Sequence, residues 1–312
     1  MDYRAFAKLL LQRDDFLILS HLRPDGDTLG SGAALCSALR RVGKTAYIVR
    51  NPEIVARTLP YVEPFFAPED FAPGCVVAVD IATPELFPLG FAGAADFCID
   101  HHPSNSGYAG VTLLRETLSA CGEAVLALIE AMTGSVTARE ATLLYIAVTT
   151  DTGCFQYMNT NADTLRCAAR LIDLGAEHRR VILDYFRKVS RARIQLEGAI
   201  YSGMRFYRDG RITVAVVTRA MLADADATEN DCEDLAGLPG RVAGSMVSVL
   251  IRELESGESK VSVRSTPEVD SCAICAVYGG GGHAMAAGCT LPCGPEEAET
   301  RIMAAIERVW PE

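Results

Sequence analysis

"DFLILSHLRPDGDTLGSGAALCSALRRVGKTAYIVR", residues 15–50, decides the fold. It begins with a short apolar run, "DFLILS" (15–20), of the kind that forms a buried strand. A polar loop rich in Asp and Gly follows. "GSGAALCSALRRVG" (30–43) then carries apolar residues at helical spacing and ends in glycine, and "TAYIVR" (45–50) reads as a second strand. Strand, helix, strand is one βαβ unit. The same rhythm continues. "CVVAVDIA" (75–82) is β-branched and apolar, as a central parallel strand should be. "DFCID" (96–100) is the next strand, and helical patterns follow at 121–133 and 138–149. We therefore expect an α/β domain, a doubly wound parallel sheet with helices on both faces.

Beyond it the pattern changes. Residues 161–203 read as helix throughout. They include "HRRVILDYFRKVSRAR" (178–193), whose basic residues form a solvated face or a connector turned to a cleft. "MRFYRDGRITVAVV" (204–217) reads as a hairpin turning at Asp-Gly. "VAGSMVSVLIREL" (242–254) and "SKVSVRST" (259–266) add strands, and a helix closes the chain at 295–309. We expect a catalytic domain over 1–185, a helical connector over 186–203 and a smaller α+β domain over 204–312.

Composition narrows the function. The 312 residues are 49% hydrophobic and 22% charged, ordinary for a globular protein. The net charge of −11 disfavours a long polyanion such as duplex nucleic acid. Nothing at the N-terminus reads as a signal peptide and no run is long enough to span a membrane, so a cytoplasmic protein is expected. The eleven cysteines read mostly as small core residues of a reducing compartment. Cys272 and Cys275 have C-x-x-C spacing but lack a second pair, so the core reading applies to them too. The sequence leaves a homodimer open.

Four acidic or histidine clusters stand where strands run out: "SHLRPDGDTLGSG" (20–32), Asp80, "IDHH" (99–102) and "VTTDTGCF" (148–155). In open α/β sheets functional groups collect at the carboxyl ends of strands. Singly, each cluster has a plainer reading. "PDGD" is turn chemistry, and Asp80 or Asp151 could cap a helix. "GSGAAL" opens like a dinucleotide-binding loop but lacks the third glycine, and Asp25 and Asp27 would repel a pyrophosphate. Jointly, His21, Asp25, Asp27, Asp80, Asp100, His101, His102 and Asp151 place five carboxylates in one cleft. Such crowding calls for cations. Mixed carboxylate and imidazole donors suit two divalent ions, Mn²⁺ first, with Mg²⁺, Fe²⁺ or Co²⁺ as substitutes. Because neighbours on an extended segment point to opposite sides, His101 and His102 should serve different partners.

In the second domain, Gly279–Gly282 stand in "GGGGHAMAAG" (279–288). Four glycines in a row serve backbone approach and positive φ rather than packing, or they form a flexible loop. Their N–H groups could cradle a phosphate, with Arg264 and His283 as further donors.

"HLRPDGDTLGS", "VAVD", "IDHHPSN" and "TDTG" resemble, in order and spacing, the four motifs of the DHH phosphoesterase superfamily. "VSVRS" (261–265) and "GGGGHAMAAG" resemble its associated C-terminal domain, so the likeness spans nearly the whole chain. Within the superfamily the two-domain plan is most similar to the bacterial nano-RNase and pAp phosphatase group. The resemblance implies a dinuclear Mn²⁺ site. His21 and Asp25 would hold one ion, Asp27, His101 and Asp151 the other, and Asp80 would bridge them. His102 would contact the scissile phosphate and Asp100 would orient a histidine. Arg264, Gly280, Gly281, Gly282 and His283 would grip the nucleotide and present its phosphate across a cleft. Short RNA oligonucleotides and 3′-phosphoadenosine 5′-phosphate (pAp) are the implied substrates. The rivals are pApA or cyclic di-AMP, single-stranded DNA and polyphosphate, or, in another class, a non-catalytic nucleotide-binding module.

Overall fold

The structure, a computed structural model, describes residues 1–232 and 234–311. The chain divides into two compact units, Met1–Lys188 and Val189–Glu312. In the first unit the order is α1 (Tyr3–Leu10), β1 (Phe16–Leu19), α2 (Gly26–Arg41), β2 (Ala46–Ile48), α3 (Leu59–Val62), β3 (Cys75–Val79), β4 (Phe97–Asp100) and β5 (Val111–Leu114). Four helices complete it: α4 (Cys121–Thr133), α5 (Ala138–Asp151), α6 (Ala162–Asp173) and α7 (His178–Ile182).

The five strands form a parallel sheet in the order β2-β1-β3-β4-β5. Alternation along β1 sends Phe16 and Ile18 to one face and Leu17 and Leu19 to the other. The first face packs on helices, including Leu29, Leu35 and Leu39 of α2, Val125 and Leu128 of α4 and Leu144 and Val148 of α5. The second face is covered by shorter segments, with Phe87, Phe91 and Tyr108 meeting edge to face. The chain runs outward from β1 to β2, then returns to β3 on the other side of β1. The C-terminal ends of β1 and β3 therefore flank the switch point where α/β sheets bind ligands.

The helix expected from residue 30 begins four residues earlier. Asp25 caps it, its Oδ1 accepting the N–H groups of Asp27 (2.9 Å) and Thr28 (3.1 Å), so Asp27 stands in the first turn. The "GSG" glycine also finds its reason. A methyl group on Gly30 would collide with the carbonyl oxygen of Leu143, and one on Gly26 with the side chain of Thr150. These two glycines let α2 lie directly against α5, which brings the residues before Thr28 beside those after Thr149. The spacing serves helix packing, not a dinucleotide.

Three other expectations need correction. Helix is not continuous over 161–203. It breaks at Gly175 (φ 93°), resumes as α7 with a π-helical turn over Leu183–Arg187, and breaks again at residues 188–190. The expected connector over 186–203 is thus mostly α8 (Arg191–Ser202), which belongs to the second unit. The strand read in 242–254 begins only at Val247. Strand β5 was not expected at all, because Val111–Leu114 is a half-buried edge with no alternation to betray it.

In the second unit α8 is followed by β6 (Arg205–Tyr207), β7 (Ile212–Val217), α9 (Arg219–Asp224), β8 (Val247–Glu253) and β9 (Ser259–Ser265). The unit ends with α10 (Ser271–Ala276), β10 (Gly281–His283), β11 (Ala286–Leu291) and α11 (Pro295–Val309). Its sheet, ordered β10-β11-β9-β8-β7-β6, is mixed: β7 and β8 are parallel and the other pairs antiparallel. One face packs on α10 and α11, the other on α8 and α9. Cys272 lies half-buried and Cys275 buried on α10, both as free thiols, and no described metal-competent group includes a cysteine. No helix among the described residues is long and apolar enough to cross a membrane.

Candidate metal centre and active site

The fold gathers the sequence-distant donors at the switch point. His21 lies two residues beyond β1, and its loop is held by Asn51, whose Nδ2 donates to the carbonyls of His21 (3.1 Å) and Leu22 (3.3 Å). Thr28 fastens the start of α2 to β3 by donating to the carbonyl of Val79 (2.7 Å). Asp80 leaves β3 with φ of 60°, a left-handed conformation that aspartate tolerates better than most residues. Its N–H donates to the carbonyl of Ile99 (2.8 Å), tying it to β4. Asp151 is the last residue of α5. The fourth cluster therefore stands at a helix end and not, as expected, at a strand end.

Asp80 is central. One of its oxygens lies 3.4 Å from His101 Nε2 and 3.6 Å from His102 Nδ1, and the other lies 4.0 Å from His21 Nε2. Around His21 stands Asp25 at 3.5 Å. Around His101 Nε2 stand Asp27 at 3.8 Å and Asp151 at 3.5 Å. Three donor sets result, each with its ligand atoms within 4.8 Å of one another: His21–Asp25–Asp80, Asp27–His101–Asp151 and Asp80–His101–His102.

The histidine doublet departs from expectation. The two rings do not point apart; their centroids lie 4.5 Å from each other and both face Asp80. The extended strand has already ended at Asp100. Asp100 Oδ1 accepts both backbone N–H groups, of His101 (2.8 Å) and His102 (3.3 Å), and so turns the chain. The same oxygen accepts from His102 Nδ1 at 2.7 Å, and Asn105 donates to the other oxygen at 2.6 Å. Burial opposes ionisation of Asp100, but the hydrogen bonds from His102 and Asn105 outweigh it and hold this carboxyl below its ordinary range.

Proton positions follow from the partners. His101 Nδ1 lies 3.1 Å from the carbonyl of Leu118, which can only accept, so Nδ1 carries hydrogen and Nε2 faces the cluster. That Nε2 and Asp80 Oδ1 are buried and have no hydrogen-bond partner. Two buried donor atoms without partners, ringed by carboxylates, fit a divalent cation.

Among curated proteins the chain is 35% identical to the bifunctional oligoribonuclease and PAP phosphatase NrnA of Thermus thermophilus. That match covers 93% of this chain and 88% of the relative. It is 26% identical to the protein of the same name from Bacillus subtilis, covering 96% of each. Residues 15–148 match the DHH family N-terminal domain, and residues 209–310 match the DHHA1 domain. The chain belongs to the DHH family. An exopolyphosphatase-related protein from Bacteroides fragilis shares the fold at a TM-score of 0.88 and 22% identity, over 98% of this chain and 95% of that one. As a DHH phosphoesterase, the protein is a hydrolase of phosphate esters.

Several supports of the DHH site were invisible in sequence. Asp27 is anchored to the start of α4. Its Oδ1 accepts from Ser31 Oγ (2.9 Å) and the N–H of Gly122 (2.9 Å), and its Oδ2 accepts from the N–H of Cys121 (2.6 Å). Backbone donors leave no mark in a residue pattern. Asn105 could have been found, since it closes the "IDHHPSN" motif five residues after its partner.

In the DHHA1 unit the glycines serve the backbone approach and positive φ expected of them, with φ of 71° at Gly279 and 146° at Gly282. A methyl group on Gly280 would strike Gly288 and Cys289, and one on Gly282 would strike Ala286 and Ala287. Both lie flat on β11, and only Gly281 among the last three faces open space. The run's second half, Gly281 and Gly282, opens the exposed edge strand β10 (Gly281–His283). Register places Arg264 opposite Ala286 and Ala286 opposite His283. Arg264 and His283 thus share a face across two strand spacings, about 10 Å, with only a methyl group between them.

Without cations the cluster takes up protons. Burial and the charges of Asp80 and Asp151 push Asp27 well above its ordinary range. Burial, with Asp80 and Asp25 nearby, raises Asp151 to about 7. Burial resists charging His101, but its contact with Asp80 and the charges of Asp27 and Asp151 raise it to about 10. Folded Asp151 keeps a proton that an unfolded aspartate releases near 3.8, so stability falls as pH rises between 3.8 and about 7. His101 stabilises fully below 6.5, and that contribution is lost by about pH 10. Chelator-treated protein should therefore melt at steadily lower temperature from about pH 5 to about pH 9. Added Mn²⁺ should raise the melting temperature more at the alkaline end, because binding displaces those protons. Calorimetry across that range checks both; a flat profile would contradict the protonated cluster.

Proposed function

We propose that the protein hydrolyses short RNA oligonucleotides and pAp with water activated at a two-metal centre. The observation that carries this reading is the pair of unpartnered buried atoms, Asp80 Oδ1 and His101 Nε2, at the meeting point of the donor sets. His21 and Asp25 would hold one divalent ion, Asp27, His101 and Asp151 the second, with Asp80 shared. Mn²⁺ suits the carboxylate and imidazole mixture best; Mg²⁺, Co²⁺ and Fe²⁺ are the alternatives. Two such ions would supply Lewis acidity, lowering the pKa of the attacking water and neutralising charge on the phosphate oxygens.

The chain's own groups do the rest. Asp100 fixes the His102 ring through Nδ1, which leaves Nε2 of this part-exposed side chain available to a phosphate oxygen. Arg264 and His283, with the backbone at Gly280, Gly281 and Gly282, offer donors for a nucleotide phosphate. The net charge of −11 favours a short substrate over a long strand. The printed names of the Thermus and Bacillus relatives, oligoribonuclease and PAP phosphatase, support the same two substrates.

The test is a substrate panel with purified protein and Mn²⁺: pAp, a dinucleotide RNA, pApA, cyclic di-AMP, short DNA and inorganic polyphosphate. Hydrolysis of pAp and the dinucleotide ahead of the others is expected. Cleavage of neither would defeat the proposal, and preference for another member would reassign the substrate.

A further inference from the structure

The Asp27–His101–Asp151 donor set is served by one short stretch of backbone, residues 118–122. The carbonyl of Leu118 accepts from His101 Nδ1 (3.1 Å). The N–H groups of Cys121 and Gly122 donate to Asp27. Between them, the carbonyl of Ser119 accepts from Asn159 Nδ2 at 3.1 Å, and the same nitrogen donates to the carbonyl of Asp151, also at 3.1 Å. An asparagine amide has two hydrogens, and here each has its own carbonyl. We propose that residues 118–122 form the positioning element for this donor set, with Asn159 as the positioning residue that ties Asp151 to it. The inference rests on the metal reading given above.

Two further features support it. First, the stretch is itself braced. Ser119 N–H donates to Glu123 Oε1 (2.9 Å), and Ser119 Oγ meets Thr164 Oγ1 at 2.6 Å and accepts from Asn161 Nδ2 at 3.3 Å. Ser119 Oγ also donates to the backbone carbonyl of Asn159, so the two residues clasp each other. Second, the bracing is one-sided. His21 is held through Asn51, and Asp25 is held by capping its own helix. No hydrogen bond described from Asn159 or from residues 118–122 reaches either of them.

That asymmetry gives a distinctive consequence. Removing the Asn159 amide should loosen one donor set and spare the other. Outer supports of this kind typically change metal affinity by about 10–100-fold. Mn²⁺ binding to the chelator-treated chain, followed by calorimetric titration and by electron paramagnetic resonance of free Mn²⁺, reads this without any assay of activity. Wild type should show two classes of site. In Asn159→Ala and Asn159→Leu one class should weaken by about 10–100-fold, the same class that Asp151→Asn removes. The other class should be unchanged. Equal weakening of both classes, or no change in either, would overturn the positioning role. A wild-type protein that binds no Mn²⁺ would instead overturn the metal reading on which it stands.

Discussion

Asp80→Asn should lower turnover of pAp by roughly 10³-fold or more while leaving the fold intact. The expected size follows from what is lost. Removing one well-placed electrostatic group from an active site commonly costs about 10²–10³ in rate, and among the described residues Asp80 alone of the carboxylates contacts His21, His101 and His102 together. An amide keeps the shape, but its nitrogen cannot donate a lone pair to a cation. Asparagine is the right replacement because residue 80 sits at φ of 60°, which asparagine also adopts readily, whereas alanine would add backbone strain. Because contact with Asp80 helps raise His101, the chelated variant should also lose part of the stabilisation that charged His101 supplies at neutral pH. Steady-state rates at saturating Mn²⁺, with a melting curve, check both parts. Unimpaired turnover would remove Asp80 from the mechanism.

Asp100→Asn should lower turnover by up to about 10⁴-fold, the loss that follows when a carboxylate fixing a histidine tautomer is neutralised. Asp100 is fully buried and takes four hydrogen bonds. Three come to Oδ1 from His101 and His102, and one comes to Oδ2 from Asn105. Asparagine has one acceptor oxygen. Its NH₂ group would face either the Nδ1–H of His102 or the amide of Asn105, donor against donor. The His102 ring would lose its orientation and the contact that raises its pKa. Mn²⁺ affinity should suffer less than in Asp80→Asn, because Asp100 belongs to none of the three donor sets. Rate and Mn²⁺ titration together separate the two variants.

What the sequence made legible was whatever has a period or a chemical type. The strands β1, β3 and β4 were readable because buried parallel strands are continuous apolar runs, and most of the eight acids and histidines were readable because functional groups collect at the carboxyl ends of strands, although Asp151 ends a helix. What stayed hidden depends on distance. Gly30 looks like part of a dinucleotide loop and Gly26 like turn chemistry until Leu143 and Thr150 are seen beside them. The run Gly279–Gly282 looks loose until β11 is found underneath. The orientation of His101 and His102 could not be read from strand alternation, because the carboxylate of Asp100 ends the strand and folds both residues toward Asp80. The supports of Asp27 are backbone N–H groups, which every residue but proline carries.

A pair of cations sharing Asp80 has a crystallographic signature. Anomalous diffraction from crystals of Mn²⁺-loaded protein, collected at the manganese edge, tests it most directly. Two peaks about 3.5–4 Å apart are expected, one beside His21 and Asp25 and one among Asp27, His101 and Asp151, with Asp80 reaching both. A single peak, or two that do not share Asp80, would contradict it.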